Sequence, residues 1–397
     1  MKINLAVFFG CCSTEHEVSI ISAVQAMLSM NTDKYNVIPV YVTKDGEMVT
    51  GDALFEIKEY RNMPALLKKV KPVSFFRRGG KVLMLEDGGV FKKKPLSIDV
   101  AFPVVHGTNC EDGTIEGFFE FLRLPYVGCD IISSAVGMDK AVFKDVLSAA
   151  GLPVIPCIRF YSREFFDNRE AMLSRIEKEI GFPVIVKPAN LGSSIGITKA
   201  NDSFALDEAI NTACSFADKI LVEKAIVGLR EVNCSVLGDY DECEASVCEE
   251  PVASDDILSF ENKYLENSGK QGSKGMASLS RKIPADISPE KTEEIKKLAT
   301  DIFKAIGGCG IARIDFIIDT NDGDRVYANE INTIPGSLSF YLWKESGISY
   351  PVLLDRAIDL AFRRERKRKS LNFTFQSNIL SGVGDLKGTK GSKGAKL

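Results

Sequence analysis

The chain has 397 residues, of which 45% are hydrophobic, and its 50 Lys and Arg nearly balance 54 Asp and Glu for a net charge of −4. That composition predicts a soluble protein of two or three domains with ample core. It supplies no global field for nucleic acid and no apolar run of the roughly 18 residues that a bilayer span needs. Ten cysteines without a C-x-x-C pair and only two histidines argue against a structural zinc site. They fit free thiols in a reducing cytoplasm, and an opening directly on a strand gives no sign of a signal peptide.

Ile3–Phe9 is a continuous apolar run, the pattern of a strand buried on both faces. The loop Gly10–Glu17 (GCCSTEHE) follows, then helical periodicity over Val18–Met30. Strand, polar loop and helix begin a βα unit, and such sheets bind ligands at the carboxyl ends of their strands. Glu15 and Glu17 stand at the helix start, where they serve either the helix dipole or a ligand's ammonium group. Val37–Val42 predicts a second strand, whereas residues 44–95, mixed basic and aromatic, receive no role. Val100–His106 predicts a third buried strand and ends in HGTNCEDGT, a second Gly-rich loop before a helix over Thr114–Leu122. His106 reads equally as a packed core histidine and as a site residue. A helix over Asp139–Ala150 closes on Gly151-Leu-Pro, a C-cap glycine with proline beyond.

Pro183–Pro188 predicts a short strand carrying Lys187. Ala189–Ile197 (ANLGSSIGI) then forms a Gly/Ser loop leading into a strand over Ile195–Lys199. Its N–H groups and hydroxyls suit a phosphate, with Lys187 as a point charge. It is not a P-loop, because the G-x-x-x-x-G-K-[ST] order is absent and it joins two strands. Lys219–Ile226, Arg230–Leu237 and Cys243–Val252 predict further strands. Glu261–Arg281 is long, polar and Gly/Ser-rich, has Lys263 and Tyr264 near its edge, and reads as a lid. Pro289–Ile306 predicts an amphipathic helix stopped by Gly307-Gly308.

Ile311–Asp319 and Arg325–Thr333 flank the polar turn Thr320–Asp324, a hairpin pattern. Asp315 lies within the first strand, and Glu330 and Asn332 lie two apart in the second, hence on one face. These hard oxygen donors suit Mg²⁺, which is usually held by one or two carboxylates together with substrate phosphates. Arg313 adds a positive fork on the same face; a solvated sheet surface is the ordinary alternative. The segment ends in NTIPG, a loop entry where backbone can approach a ligand. A segment over Gly336–Trp343 and a helix near Tyr350–Arg363 precede the charge run Arg363–Lys369, read as a solvated helix end. The Gly/Ser/Lys tail Gly382–Leu397 cannot form a core. A phosphate loop plus metal donors without a Walker motif points to a nucleotide bound between two sheets.

These motifs resemble the D-alanine–D-alanine ligase family of the ATP-grasp superfamily. The resemblance covers residues 1 to about 363 and rests on Ser13–Ser19, HGTNCEDGT, Met138-Asp-Lys140, Val186-Lys-Pro with Gly192-Ser-Ser, Glu223-Lys224, Lys263-Tyr264, Arg313-Ile-Asp315 and NEINTIPG. It implies an α/β plus α+β fold with a nucleotide between two antiparallel sheets. An N-terminal parallel α/β domain would span 1–138, a central ATP-grasp subdomain 139–228, and a C-terminal ATP-grasp domain 229–369 with lid loop 261–281, before a disordered basic tail 370–397. ATP would be the cosubstrate, with two Mg²⁺ (or Mn²⁺) on Asp315, Glu330 and Asn332. Lys140, Lys187, Ser194 and Lys263 would face the phosphates, Glu223, Lys224 and Ile226 the adenine, and Glu231 the ribose. Glu15 would anchor the ammonium of the first D-alanine, linked to Ser193 and Tyr264, with His106 nearby. The first carboxylate would become an acyl phosphate, and the second amine would attack it. Arg313 and the Gly336 N–H would steady the tetrahedral oxyanion. The resemblance also implies a cytoplasmic homodimer that supplies D-alanyl-D-alanine for peptidoglycan precursors, without membrane insertion or nucleic acid.

Several departures fall on the substrate side. Gly10-Cys-Cys stands where the family has a Gly-Gly pair and a small residue; cysteine resists positive φ, which predicts a shifted loop. Cys110 stands where a glycine is usual. Ser337–Trp343 (SLSFYLW) replaces a Ser/Thr-rich run whose serine holds the second carboxylate, with Tyr341 near that place and able to donate through its hydroxyl. The lid is longer than usual. These features set D-serine and D-lactate beside D-alanine as alternative acceptors. A nucleotide-binding module without ligase activity would lack Asp315, Glu330, Arg313 or Lys187, and all four are present.

Overall fold

A computed structural model describes residues 2–87, 94–192, 195–251 and 281–374. The first apolar run forms β1 (Ile3–Gly10), buried from Leu5 onward. Helix α1 (His16–Ser29) follows, and β2 (Tyr35–Val42) pairs with β1 in parallel. The stretch without an assigned role then builds sheet. Strand β3 (Met48–Thr50), the short helix α2 (Met63–Leu67), β4 (Lys71–Arg78) and β5 (Lys81–Glu86) precede β6 (Leu96–Ile98) and β7 (Val100–Val104). The seven-stranded order is β6-β5-β4-β3-β2-β1-β7. The N-terminal domain is therefore parallel only across β2-β1-β7, and its outer strands are antiparallel. The cause is connection length: a parallel return needs a crossover, whereas β4 and β5 are joined by the two-residue turn Gly79-Gly80, both at positive φ.

Three helices lead out of this domain: α3 (Thr114–Leu122), α4 (Ile131–Met138) and α5 (Lys140–Ala149). The second sheet contains β8 (Cys157–Tyr161), β9 (Val184–Pro188), β10 (Thr198–Ala200) and β11 (Lys219–Lys224), ordered β10-β9-β11-β8 and wholly antiparallel. Helices α6 (Ser162–Asp167), α7 (Arg169–Glu179) and α8 (Ser203–Cys214) bring Phe165, Ile176 and Ile210 into its core. The third sheet contains β12 (Leu229–Gly238), β13 (Cys243–Pro251), β14 (Arg281–Lys282), β15 (Gly310–Asp319) and β16 (Arg325–Asn332), ordered β14-β13-β12-β15-β16. Its strands are antiparallel throughout, and β15–β16 is the hairpin expected from the sequence. Helix α9 (Pro289–Ala305) covers one face with Ile295, Ala299, Ile302 and Phe303. Helix α5 adds Phe143 and Leu147 to this same core.

The last helices among the described residues are α10 (Phe340–Glu345) and α11 (Tyr350–Lys369). Helix α11 returns to the first domain and buries Leu353, Leu354, Ala357 and Ile358 in its core, the two leucines and the isoleucine each worth about 1.5–3 kcal/mol. The charge run at its end is not simply solvated. Arg364 donates to the carbonyls of Gly128 (2.7 Å) and Tyr126 (2.6 Å), and its guanidinium lies 4.1 Å from the Tyr126 ring centroid. Arg363 pairs with Asp239 at 2.5 Å, so the run ties the first domain to the third sheet. The planar five-donor fork of arginine, which can satisfy two carbonyls at once, explains why this charge turns inward.

Glu116 on α3 is almost wholly buried, and burial pushes its carboxyl up to about 8, against a smaller pull from Arg364. A folded-state pKa raised above the unfolded value stabilises below about pH 4.5 and loses that contribution as pH rises through about 8, an effect on the order of 5 kcal/mol. Glu116→Gln should therefore gain stability relative to the parent between pH 6 and 9, read as thermal midpoints. A constant difference between the two proteins across that range would refute the assignment.

Candidate active site

Pairing in the third sheet brings four polar side chains into one cross-strand row. Glu249 on β13 is opposite Asn233 on β12, Asn233 is opposite Asp315 on β15, and Asp315 is opposite Glu330 on β16. Ser235, Arg313 and Asn332 form a second row, two residues along and hence on the same face. Arg313 grips Asp315 with both prongs, Nε to Oδ1 at 2.6 Å and Nη2 to Oδ2 at 2.7 Å. Asn332 Nδ2 donates to Asp315 Oδ2 at 3.2 Å. Burial, joined by Glu330 and Glu249, raises the Asp315 carboxyl above its ordinary range despite Arg313.

Helix α5 and the second sheet supply cations to the same place. Lys140 follows Asp139, whose carboxylate caps α5 by accepting from the N–H groups of Ala141 and Val142. Lys140 Nζ lies 3.2 Å from Glu330 Oε2 and donates to the Leu191 carbonyl at 2.9 Å. Lys187, on β9, pairs with Glu223 on β11 and lies 3.5 Å from Asn329 Oδ1. Lys144 Nζ is 3.1 Å from the other Glu223 oxygen. Burial alone would raise the Glu223 carboxyl, but Lys144 and Lys187 outweigh it and hold it low. Burial depresses Lys144 in turn. Residues expected at phosphate and adenine, Lys187 and Glu223, are thus joined directly in one buried cluster, which is completed by Lys144, a residue to which the sequence reading assigned no role. Its signal was position: four after Lys140 on a helix, it shares that face.

Lys224 donates to the carbonyls of Gly181 (3.3 Å) and Phe182 (3.0 Å). Ile226 packs with Ile155, Ile317 and Tyr327, and Ile317 is the register partner of Glu231. Ser193, Ser194, Lys263 and Tyr264 lie outside the described residues, as does all of the expected lid except Arg281, and the tail beyond residue 374.

Glu15 lies where three loops meet. A Cβ at Gly107, which also adopts φ +83°, would come within 2.9 Å of Glu15 Oε2, and one at Gly192 within 3.2 Å, so both backbones approach this carboxylate closely. Ser13 Oγ donates to the His106 carbonyl at 2.6 Å and accepts from the Glu15 N–H. Thr108 Oγ1 reaches the Asn190 carbonyl at 3.1 Å, tying the first domain to the second sheet's loop. His106 is buried, with Nδ1 2.8 Å from the Ile334 carbonyl and Nε2 3.0 Å from Ser22 Oγ. Burial lowers its pKa, with Glu15 opposing. Both ring nitrogens are taken by protein, so His106 braces the loop after β16 against α1 rather than offering a nitrogen to substrate.

Glu111 does comparable work, and the sequence reading gave it no role. It accepts from the N–H groups of Ile334 (2.8 Å) and Gly107 (3.0 Å), and burial pushes its carboxyl up to about 7. Just beyond, Gly336 opens a tight turn in which Ser337, Leu338 and Ser339 all adopt left-handed φ of 50–52°. Ser337 holds that turn to α1, its N–H donating to Ser22 Oγ (2.9 Å) and its hydroxyl to Gln25 Oε1 (2.8 Å).

Two expectations need correction. Cys11 does adopt positive φ, at 69°, and its N–H still bonds the Val42 carbonyl at 2.8 Å, so the loop keeps its attachment to the sheet. Gly10 bears the close approach instead, since a Cβ there would lie 2.4 Å from the Val42 oxygen. Cys110 fills buried space against Cys11, and contact between the two thiols, with burial, pushes the Cys110 thiol up. Tyr341 is not a donor awaiting a carboxylate, because its hydroxyl already donates to Glu249 Oε1 at 2.9 Å.

Two antiparallel sheets sharing cations and carboxylates, with an α/β domain closing a third side, have the architecture of an ATP-dependent ligase of the ATP-grasp kind. Family models for the D-ala D-ala ligase N-terminus and C-terminus match residues 4–129 and 146–359. A D-alanine–D-alanine ligase of Thermosipho melanesiensis is 40% identical over 378 residues, 95% of this chain and 98% of that protein. One from Caldicellulosiruptor bescii is 41% identical over 377 residues, 94% of this chain and 99% of that protein. Among solved structures, the D-alanine–D-alanine ligase of Coxiella burnetii aligns with TM-score 0.76 at 29% identity, covering 93% of this chain and 96% of that one. The VanG D-Ala:D-Ser ligase of Enterococcus faecalis aligns with TM-score 0.75 at 33% identity, covering 91% of this chain and 100% of that one. The chain belongs to the D-alanine–D-alanine ligase family.

Glu111→Gln should cost about 1–3 kcal/mol, because an amide NH₂ would face the N–H of either Gly107 or Ile334. Urea unfolding checks the stability, and D-alanine-dependent ADP release should fall with it as the Ile334–Gly336 loop shifts. Parental values for both would show that the bridge is dispensable.

Proposed function

We propose that this ATP-dependent ligase joins two D-alanines into D-alanyl-D-alanine, with the residues above in the following roles. The observation that carries the reading is Glu15, a carboxylate held where three loops meet, beside Gly107 and Gly192. It takes the ammonium of the first D-alanine, whose own carboxylate is left to face the phosphate site. That carboxylate bonds the γ-phosphorus, ADP leaves, and an acyl phosphate results. The amine of the second D-alanine then attacks the acyl carbon and inorganic phosphate leaves. Arg313 has Nη1 beyond the two nitrogens that Asp315 occupies. With the Gly336 N–H it would stabilise the tetrahedral oxyanion, at about 3–4 kcal/mol per donor.

Asp315, Glu330 and Asn332 would hold Mg²⁺, two carboxylates and an amide being a donor set that phosphate oxygens complete. Burial first, then the nearby Glu330 and Glu249 carboxylates, raises the Asp315 carboxyl, which fits a place built for added positive charge. When bound, Mg²⁺ neutralises the polyphosphate. Lys140, at the start of α5, and Lys187, on the second sheet, add charge. Glu223, Lys224, Ile226 and Glu231 form the nucleoside end, and Ser193, Ser194, Lys263 and Tyr264 keep the roles the family resemblance gives them. No helix among the described residues is long and apolar enough to cross a membrane. A homodimer working in the cytoplasm completes the reading and rests on the family resemblance.

Product analysis tests it. With ATP, Mg²⁺, D-alanine and equal D-serine and D-lactate, the expected main product by mass is D-alanyl-D-alanine. A mixed product in excess would favour the variant acceptor suggested by the D-Ser ligase likeness, and ATP binding without any product would remove the ligase reading. Glu15→Gln should raise the D-alanine KM about tenfold to hundredfold, the loss of a charge-assisted bond, while leaving ATP affinity unchanged. Collapse of ATP binding instead would show that Glu15 is misplaced.

A further inference from the structure

Beneath the polar row, the core face of the third sheet carries two cysteines side by side. Cys234 on β12 and Cys248 on β13 are direct register partners, next along the ladder from the Asn233–Glu249 pair. Both are free thiols, buried beneath α9 with Ile295 and Ala299. The Cys248 carbonyl accepts from the Ala285 N–H at 2.8 Å, on the β14 side and away from β12. Cys234 and Cys248 are therefore a non-hydrogen-bonded pair, the kind whose Cα atoms lie about 4.5 Å apart and whose side chains stand closest. That spacing falls inside the window of roughly 4.4–6.8 Å that a disulfide requires.

The position of the pair gives such a bond a structural effect. The ladder loses its regular register directly beyond it, between Cys234 and Val236, and there the Ser235 N–H donates to the Ser246 hydroxyl at 3.0 Å. A bulge disrupts the ladder locally, so a covalent link at the last regular pair would hold the register that sets Glu249 opposite Asn233. The chemistry agrees with the geometry. Contact with the Cys234 thiol lowers the Cys248 pKa against the effect of burial, with help from Lys296, and the same contact, with burial, raises Cys234. Cys248 is thus the nucleophile of the pair.

We propose that Cys234 and Cys248 are an oxidation site, where a reversible cross-strand disulfide staples β12 to β13. With hydrogen peroxide as the oxidant, the Cys248 thiolate takes one oxygen and becomes a sulfenic acid, releasing hydroxide. The Cys234 thiol then attacks the Cys248 sulfur, the S–S bond forms, and the sulfenic oxygen leaves as water with the Cys234 proton. Two electrons pass from the thiols to peroxide, and two waters result once the hydroxide recovers the proton Cys248 had given up. In a reducing compartment the bond lasts only while oxidant is present, and burial beneath α9 slows both its formation and its reduction. Because the two sulfurs face the core, the carboxylate row on the opposite face keeps its geometry.

The test treats the reduced full-length protein with hydrogen peroxide, then unfolds it in an alkylating reagent and reads a non-reducing digest by mass. The expected product joins the Cys234 and Cys248 peptides and lacks two hydrogens. The oxidised protein should melt at least about 5 °C higher, as for a closed loop of about 15 residues, and dithiothreitol should reverse the gain. Cys248→Ala and Cys234→Ala, each checked for folding by its reduced thermal midpoint, should show neither the linked peptide nor the gain. Exposed Cys12 is open to peroxide in every one of these proteins. D-alanine-dependent ADP release is therefore compared between oxidised parent and oxidised Cys248→Ala, where it should agree within twofold. If Cys234 and Cys248 both remain alkylatable while Cys12 is oxidised, the site does not exist. A linked peptide without the thermal gain, or with ADP release well below that of the variant, would show that the bond strains the sheet and would overturn the proposal. Mass and melting read the bond whether or not the protein joins D-alanines, so failure of the ligase reading leaves this test intact.

Discussion

The site depends on the registration of β12, β15 and β16. Antiparallel pairing puts Asn233, Asp315 and Glu330 shoulder to shoulder, and a slip of one residue would turn each to the opposite face. The opposite face of these strands carries Val232, Cys234, Ile314 and Phe316, all buried in the core beneath α9. Hydrophobic burial therefore fixes the register, and the register fixes where the carboxylates stand. The like charges gathered in this way are held by Arg313 from the adjacent row and by Lys140 at the start of α5. Breaking a buried pair by removing one partner is far more damaging than the net worth of the pair suggests, so cations and carboxylates here stand or fall together.

A second constraint joins the domains. The loop after β16 is held from the first domain by His106, Glu111 and Ser22, each bonding backbone between Ile334 and Ser337. Helix α11 then returns to the first domain's core and finishes with Arg364 on two of its carbonyls. The Glu15 loop and the loop after β16 are thereby fixed relative to each other by bonds that cross from residues near 106 to residues near 335. The left-handed turn at Ser337–Ser339 costs backbone energy, on the order of 1–2 kcal/mol per residue, and these ties offset it.

How much of this was legible in the sequence follows the range of the interactions. The β15–β16 hairpin, the buried first strand and the loops around Glu15 and His106 could be read from periodicity and glycine placement, because those signals are local. Arg313, Asp315, Glu330 and Asn332 could be grouped because two strands and a short turn settle their relation. Glu249 could not, since it reaches the same row only through two long-range pairings. Lys144 and Glu111 were hidden for a different reason: a charge on a helix or in a loop looks solvated until its burial is known. Residues 44–95 lacked a continuous apolar run because edge and half-exposed strands do not need one. Arg364 looked like part of a solvated charge run until the carbonyls it serves came from residues 126 and 128.

The central claim is that the cross-strand row is where metal and phosphate are held while D-alanine is activated. The most direct measurement is D-alanine-dependent ADP release against Mg²⁺ concentration for the parent and Glu330→Gln, whose carboxylate is half-buried and paired with Lys140 at 3.2 Å. The account predicts that the variant stays folded, that its Mg²⁺ requirement rises by at least about tenfold, and that its maximal rate falls sharply. An unchanged Mg²⁺ dependence with near-parental turnover would contradict it.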